Sequence, residues 1–231
     1  MRWLVAISLL ALTACGAPSG NAPGPSAAAK PPSQPTQADM QRFATVVRRV
    51  EPVAERVCRA NLRQGPCDFK IVIDDRPNQP PNAFQTLDKD GTPILAFNLA
   101  LIADVRNTDE LAFVMGHEAA HHIAGHILET QGNAMAGALI LGTLAAITGA
   151  NSTGVDAAVD IGASVGARAY SKDFELEADA LGTVITKQAG YDPVRGAAFF
   201  TQLPDPGNRF LGTHPPNAQR IETVRRVNAG L

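Results

Sequence analysis

An excess of charge of either sign is the first thing this sequence lacks. Twenty Lys and Arg stand against 22 Asp and Glu in 231 residues, a net charge of −2. No basic stripe appears, so nucleic acid is excluded as the expected partner. Aromatics are few (nine Phe, two Tyr, one Trp), whereas alanine and glycine are used heavily. Long hydrophobic runs are also missing. The longest, Ala134–Ala150, has 17 residues without charge, short of the ~20 that a spanning helix needs. It reads first as a buried helix packed through its glycines and Thr143 and Thr148, with insertion into a membrane surface as the sharper alternative and full spanning as the remainder. No repeat of fixed period is present. What remains, 45% hydrophobic and 18% charged, is the composition of a globular chain long enough for one domain with a core.

The start of the chain is not domain material. Met1-Arg2 gives a positive end, Trp3–Leu12 an apolar run, and Leu12-Thr13-Ala14-Cys15 a small-residue pair before a cysteine. A basic residue, a short apolar core and small residues make an export signal. The cysteine resembles that of a bacterial lipobox, which implies cleavage before Cys15 and lipid on it. Gly16, in place of aspartate, implies the outer membrane. Acyl chains hold a protein to a bilayer without a spanning helix. Residues 16–37, GAPSGNAPGPSAAAKPPSQPTQ, hold six prolines in 22 residues and cannot build a core. The expected layout is a signal peptide over 1–14, a lipidated cysteine and tether over 15–37 with a reach of roughly 65 Å, and a folded domain over 38–231. With Cys15 on lipid, Cys58 and Cys67 remain as an even pair in an oxidising compartment and are expected to form a disulfide.

Within the domain, Phe43, Val46, Val47, Val50, Val53 and Val57 recur at helical spacing over Asp39–Asn61, with Pro52 inside. Strands are expected at Phe69–Ile73 and Ile94–Phe97, with turn chemistry between Asp74 and Asn82. Helices are expected over Thr108–Thr130, with Thr108 as cap, over Asp173–Ala189, and near 193–203 and 216–228.

The chemistry is concentrated in GHEAAHH, Gly116–His122. Positions four apart share a helix face, so His117 and His121 can offer two imidazole nitrogens to one metal. In His-Glu-x-x-His helices the glutamate, here Glu118, stays off the metal and takes the proton from the attacking water. His122 sits about 100° round the helix and His126 nearly opposite, so both read as packing or surface histidines. The metzincin pattern fails because position 127 is isoleucine. A third ligand is expected in Ser171-Lys172-Asp173-Phe174-Glu175-Leu176-Glu177-Ala178-Asp179, where Glu175 and Asp179 share a face and Glu177 points elsewhere. One of the pair would bind metal and the other would orient a ligand histidine from behind.

HEAAH followed by FELEAD resembles zinc metallopeptidase family M48 over roughly residues 38–231. The resemblance implies an α+β, mainly helical zincin domain of gluzincin type with a small β-sheet lining the active-site cleft. It implies one zinc ion per chain on His117, His121 and Glu175, Glu118 as catalytic base and Asp179 behind the ligands. Asn82-Ala83-Phe84 looks like the family's segment before the strand that lines the cleft, and Ile94–Phe97 could pair with an extended substrate. Gly212-Thr213-His214-Pro215 matches a family habit. It implies that His214 either caps the zinc as a fourth ligand or stabilises the oxyanion. The family usually has Ser-Arg before its second motif, where this chain has Ser171-Lys172. The chain looks most like the small lipoprotein members. The expected function is a metalloendopeptidase on the periplasmic face of the outer membrane, with the inner membrane as second choice. It would cut extended or misfolded envelope polypeptides in protein quality control. The rival is a non-catalytic, chaperone-like or docking lipoprotein with a capped zinc site.

Overall fold

The computed structural model describes residues 34–62, 65–169, 171–207, 212 and 214–231. The expected signal peptide, Cys15 and most of the tether lie outside the described residues. The chain is mainly helical with one small sheet, as expected. Helix α1 spans Gln37–Asn61 and opens on a reciprocal cap, in which the Thr36 hydroxyl accepts from Asp39 N and the Asp39 carboxylate accepts from Thr36 N. Such a box satisfies two orphan donors at once. Its Phe43, Val46, Val50 and Val53 are buried.

Three strands follow, β1 (Lys70–Asp74), β2 (Ala83–Leu87) and β3 (Pro93–Asn98), in the order β1-β3-β2. β3 pairs parallel with β1 and antiparallel with β2, with Val72 and Phe84 both opposite Ala96. Nothing in the sequence pattern marks β2, a five-residue strand half-buried at every position. β3 is thus the central strand, both its edges are taken, and Ile94–Phe97 cannot receive a substrate strand. The edge facing the cleft belongs to β2. Buried Asn98 ties this region together. Its side-chain oxygen accepts from Asn82 N and Leu101 N, and its amide donates to the Pro80 carbonyl.

Helix α2 (Leu99–Asp104) leads to α3 (Thr108–Ile123), whose cap is Asn107 rather than Thr108. Then come α4 (His126–Ile147), α5 (Ser152–Ala169), α6 (Ser171–Gln188), the short α7 (Pro193–Gly196), a 3-10 turn over Ala197–Gln202, and α8 (Asn217–Ala229). The core joins α1 to β3, α3, α6 and α8 through residues such as Val50, Phe97, Met115, Ile185 and Val224. Among the described residues it runs from Phe43 to Val224, and α1 carries its own cap, so residues 34–231 contain every described part of this core. Cys58 and Cys67 are joined by a disulfide that ties the end of α1 to the approach to β1.

Two elements depart from expectation. The helix expected over Thr108–Thr130 breaks at Ala124-Gly125, where Gly125 takes φ 78°, a left-handed turn that glycine adopts without a side-chain clash. The Ala134–Ala150 run is not a buried helix. It forms most of α4, which pairs with α5 as a hairpin and leaves its other side exposed. No element is expected over 152–169, so the sequence pattern offers α4 no partner except the core; α5 is that partner, and it covers one side only.

Candidate active site

Two glycines set how closely the site-bearing helices approach. α3 crosses α6 at Gly116 and Gly182. A methyl group on Gly182 would lie 2.9 Å from His117 N, and one on Gly116 would lie 3.0 Å from the Gly182 carbonyl oxygen. With no side chain on either helix at the crossing, residues within about two turns of it can meet. His117 and His121 come from α3, and Glu175 and Asp179 from α6.

The ligand atoms of His117, His121 and Glu175 all lie within 4.8 Å of one another. His117 Nε2 is 3.1 Å from His121 Nε2. Glu175 Oε2 is 3.6 Å from His117 Nε2, and its Oε1 is 3.4 Å from His121 Nε2. A tetrahedral zinc with arms near 2.05 Å needs donor–donor edges of roughly 3.3 Å. Two imidazoles and a carboxylate whose two oxygens each lie near that edge length from one imidazole nitrogen make a donor set that suits zinc. Asp179, fully buried, stands 3.0 Å from His117 Nδ1. That is the position of a carboxylate fixing the tautomer and direction of a metal-binding imidazole. Glu118 is half-buried and lines the same cleft. His214 is about half exposed, and its Nδ1 is 3.2 Å from Glu175 Oε2. His122 points away, with its Nε2 2.8 Å from the Pro66 carbonyl.

Two residues stand where the sequence pattern does not put them: Arg220, which it does not single out, and His126, which it assigns to packing or the surface. Arg220, from α8, is buried and donates from Nε and Nη2 to the two Asp179 oxygens, 2.7 Å each. Its Nη2 also stands 3.2 Å from Glu175 Oε2, and its guanidinium lies 3.7 Å over the Phe200 ring. The sequence signal was only its place six residues after His214. The second residue is His126. The break at Gly125 turns it back toward the site instead of onto the opposite face. Its Nδ1 is 2.8 Å from His121 Nδ1, its ring stacks on Phe174 at 4.5 Å, and its Nε2 is 3.3 Å from Glu177. A glycine just past a helical stretch was the available signal.

Burial favours the neutral His121 imidazole, but the Glu175 hydrogen bond and the charges of Glu118 and Glu175 outweigh it and raise its pKa above the ordinary histidine value. Burial raises the Glu175 carboxyl too, yet contacts from His121 and His214 and the charges of His117 and Arg220 hold it well below the carboxylate range. Burial and the charge of His121 push His126 down.

The cleft over these groups has a volume of about 600 Å³. Its walls include Asn82, Phe84 and Gln85 of the β2 region, Phe113 and Phe200. The profile of peptidase family M48 matches residues 40–228. The chain belongs to peptidase family M48. M48 enzymes are zinc-dependent metallopeptidases, which agrees with the donor set. Over 171 residues this M48 chain is 30% identical to the mitochondrial metalloendopeptidase OMA1 of Saccharomyces cerevisiae, covering 68% of the chain and 46% of the relative. Over 132 residues it is 31% identical to a beta-barrel assembly-enhancing protease of Vibrio cholerae, covering 53% of the chain and 26% of the relative. The chain thus spans less than half the length of these curated relatives.

Proposed function

We propose that this M48 chain is a zinc-dependent metalloendopeptidase of the bacterial cell envelope that cuts extended stretches of misfolded or damaged polypeptide. The carrying observation is the convergence of His117, His121 and Glu175 on one point beside Glu118. The names of both relatives, a metalloendopeptidase and a protease, support the reaction class. The apolar start, Cys15 and the proline-rich tether support a lipoprotein on the periplasmic face of the outer membrane, and the Cys58–Cys67 disulfide suits an oxidising compartment.

His117, His121 and Glu175 would hold zinc, which when bound would supply the Lewis acidity that makes water a nucleophile near neutral pH and polarises a peptide carbonyl. The chain's own groups do the rest. Glu118 accepts the proton of the attacking water and passes it to the departing amine. Asp179, itself gripped by Arg220, holds His117 in one orientation. The β2 edge offers backbone hydrogen bonds to an extended peptide, recognition that is largely indifferent to sequence. His214, on a loop and partly exposed, can reach the carbonyl oxygen as charge develops there.

The closeness of His214 to Glu175 favours a second reading, in which His214 closes the site and the protein only holds its partners. Casein digestion with and without a chelator separates the two. Glu118→Gln should keep one zinc per chain and lose at least about a hundredfold in cleavage rate. A variant that cuts at the wild-type rate would remove Glu118 as the base.

A further inference from the structure

Among the described residues, large apolar side chains are exposed almost nowhere except on the α4–α5 hairpin. Among the described residues, every large hydrophobic that stands exposed is on this hairpin apart from Ile73 and Leu231. α4 contributes Met135, Leu139, Ile140, Leu144 and Ile147, with Leu139 71% and Ile147 76% exposed. α5 adds Ile161 and Val165 along one flank. The two helices pack chiefly on each other and meet α3 and α6 only at their bases. Their mutual contact is built from small residues. A methyl on Gly137 would overlap the Gly162 carbonyl, and one on Gly166 the Asn133 carbonyl. The larger side chains are therefore turned outward, whereas a soluble hairpin would place them inside. Apolar patches of this kind mark a contact surface.

The occupant follows from what the surface omits. From Thr130 to Val155 no side chain carries charge. The outward face of α4 from Gly132 to Ile147 offers Thr143 as its single polar group. A protein interface needs a polar rim and directed hydrogen bonds to select its partner, whereas a bilayer needs neither. α4 is the one helix among the described residues that is long and apolar enough to cross a membrane by length and composition. Spanning is opposed by Asp156 and Asp160, exposed on α5 close to the hairpin's tip, because carboxylates in the hydrocarbon are expensive. They line the back of α5 with Ser164 and Arg168 at four-residue intervals, so the hairpin has one polar edge and one apolar face. That is the build of an element lying in the plane of a membrane surface. The chain before Gln34 also carries an apolar run and a tether reaching roughly 65 Å, which brings the same surface within range.

The geometry points to the α4–α5 hairpin as a bilayer-docking element that lies flat on the lipid surface through the outward face of α4. This goes beyond the peptidase reading and does not depend on it. The hairpin joins the helix bearing His117 and His121 to the helix bearing Glu175, and Ile127, Thr130 and Gln131 at its base line the cleft. Docking therefore sets the cleft mouth at the membrane surface. With Glu129, Asp156 and Asp160 against Arg168 the hairpin has no cationic excess, so its binding needs no anionic lipid.

The test uses residues 34–231, which carry the whole described core and lack the apolar start. This domain should float with phosphatidylcholine vesicles, and adding phosphatidylglycerol should not strengthen the binding. Replacing Leu139, Ile140, Leu144 and Ile147 together by Gln should lower vesicle partition at least tenfold while helicity and casein cleavage stay unchanged. Trp3 is the chain's only tryptophan, so Leu139→Trp gives this domain a single reporter. Its emission should shift to the blue on vesicles and be quenched by brominated lipid, a reading independent of how the fourfold variant folds. A domain that stays unbound, a fourfold variant that floats as well as wild type, flotation that requires anionic lipid, or a vesicle-independent dimer lost in the variant would each overturn the proposal.

Discussion

At the scale of single residues the site is a network of charges held out of water, and its members have opposite pH signatures. In the metal-free domain the raised pKa of His121 means that its stabilisation is complete below the ordinary histidine value and is lost as pH rises through the raised one. The depressed pKa of Glu175 means that its stabilisation is present above the ordinary carboxylate value and is lost only as pH falls through the depressed one. These two groups together are most stabilising in mildly acid solution, where the lowered pKa of His126 works in the opposite sense. Zinc needs His121 without its proton, so the gain in melting temperature on adding zinc should be larger at about pH 8 than at about pH 6. Equal gains at both would contradict the raised His121. Asp179 is the residue on which the network closes, because it faces both His117 and Arg220. Asp179→Asn leaves the buried guanidinium short of a counter-charge and should cost about 3–5 kcal/mol in urea unfolding. His126 is a positioning residue for His121 through their Nδ1 contact. His126→Ala should lower zinc affinity about tenfold or more, with partial rescue by Asn, which can still hydrogen-bond; unchanged affinity would return His126 to a packing role.

At the scale of elements the site depends on one helix crossing. Gly182→Val would press a branched side chain against the His117 backbone, separating α3 from α6. The expected cost is about 1–3 kcal/mol, together with weaker zinc binding even though no ligand is altered. A variant that loses stability but binds zinc as before would show that the crossing does not set the ligand spacing. The same crossing explains how much could be read from sequence. The groupings His117 with His121 and Glu175 with Asp179 are local, four residues apart on one face, so helix periodicity alone reveals them. Which of the two carboxylates faces the metal came from family resemblance, because both lie on the correct face. Arg220 is 103 residues from His117, and no local rule brings α8 over that ring. β2 was lost because a five-residue strand half-buried throughout has no alternation to detect. With it went the identity of the free sheet edge. The charge-free run of α4 is plain in the sequence, but whether another element covers such a helix is decided by packing, and α5 covers only one side.

At the scale of the whole molecule the chain divides into a cored domain and a projecting hairpin, and their stabilities should differ. The domain is closed at one end by Cys58–Cys67, nine residues apart. In the loop-entropy account, replacing both cysteines by serine should cost about 2.5–3 kcal/mol, read as a lower urea midpoint with zinc affinity intact, since the bridge lies on α1 and the approach to β1. The hairpin has no such support. Small-residue contacts between α4 and α5 bury little apolar area, and their larger side chains face outward, so local opening should cost much less than global unfolding. Amide exchange of residues 34–231 should then show α1, α3 and α6 exchanging only with global unfolding, and residues 132–165 exchanging at least tenfold faster. Phosphatidylcholine vesicles should slow that segment and leave the core rates alone, because lipid supplies the apolar cover that the other described elements do not. If the hairpin were as protected as the core in plain buffer, its stability would have to come from a partner already bound, and ultracentrifugation would then find the domain as an oligomer.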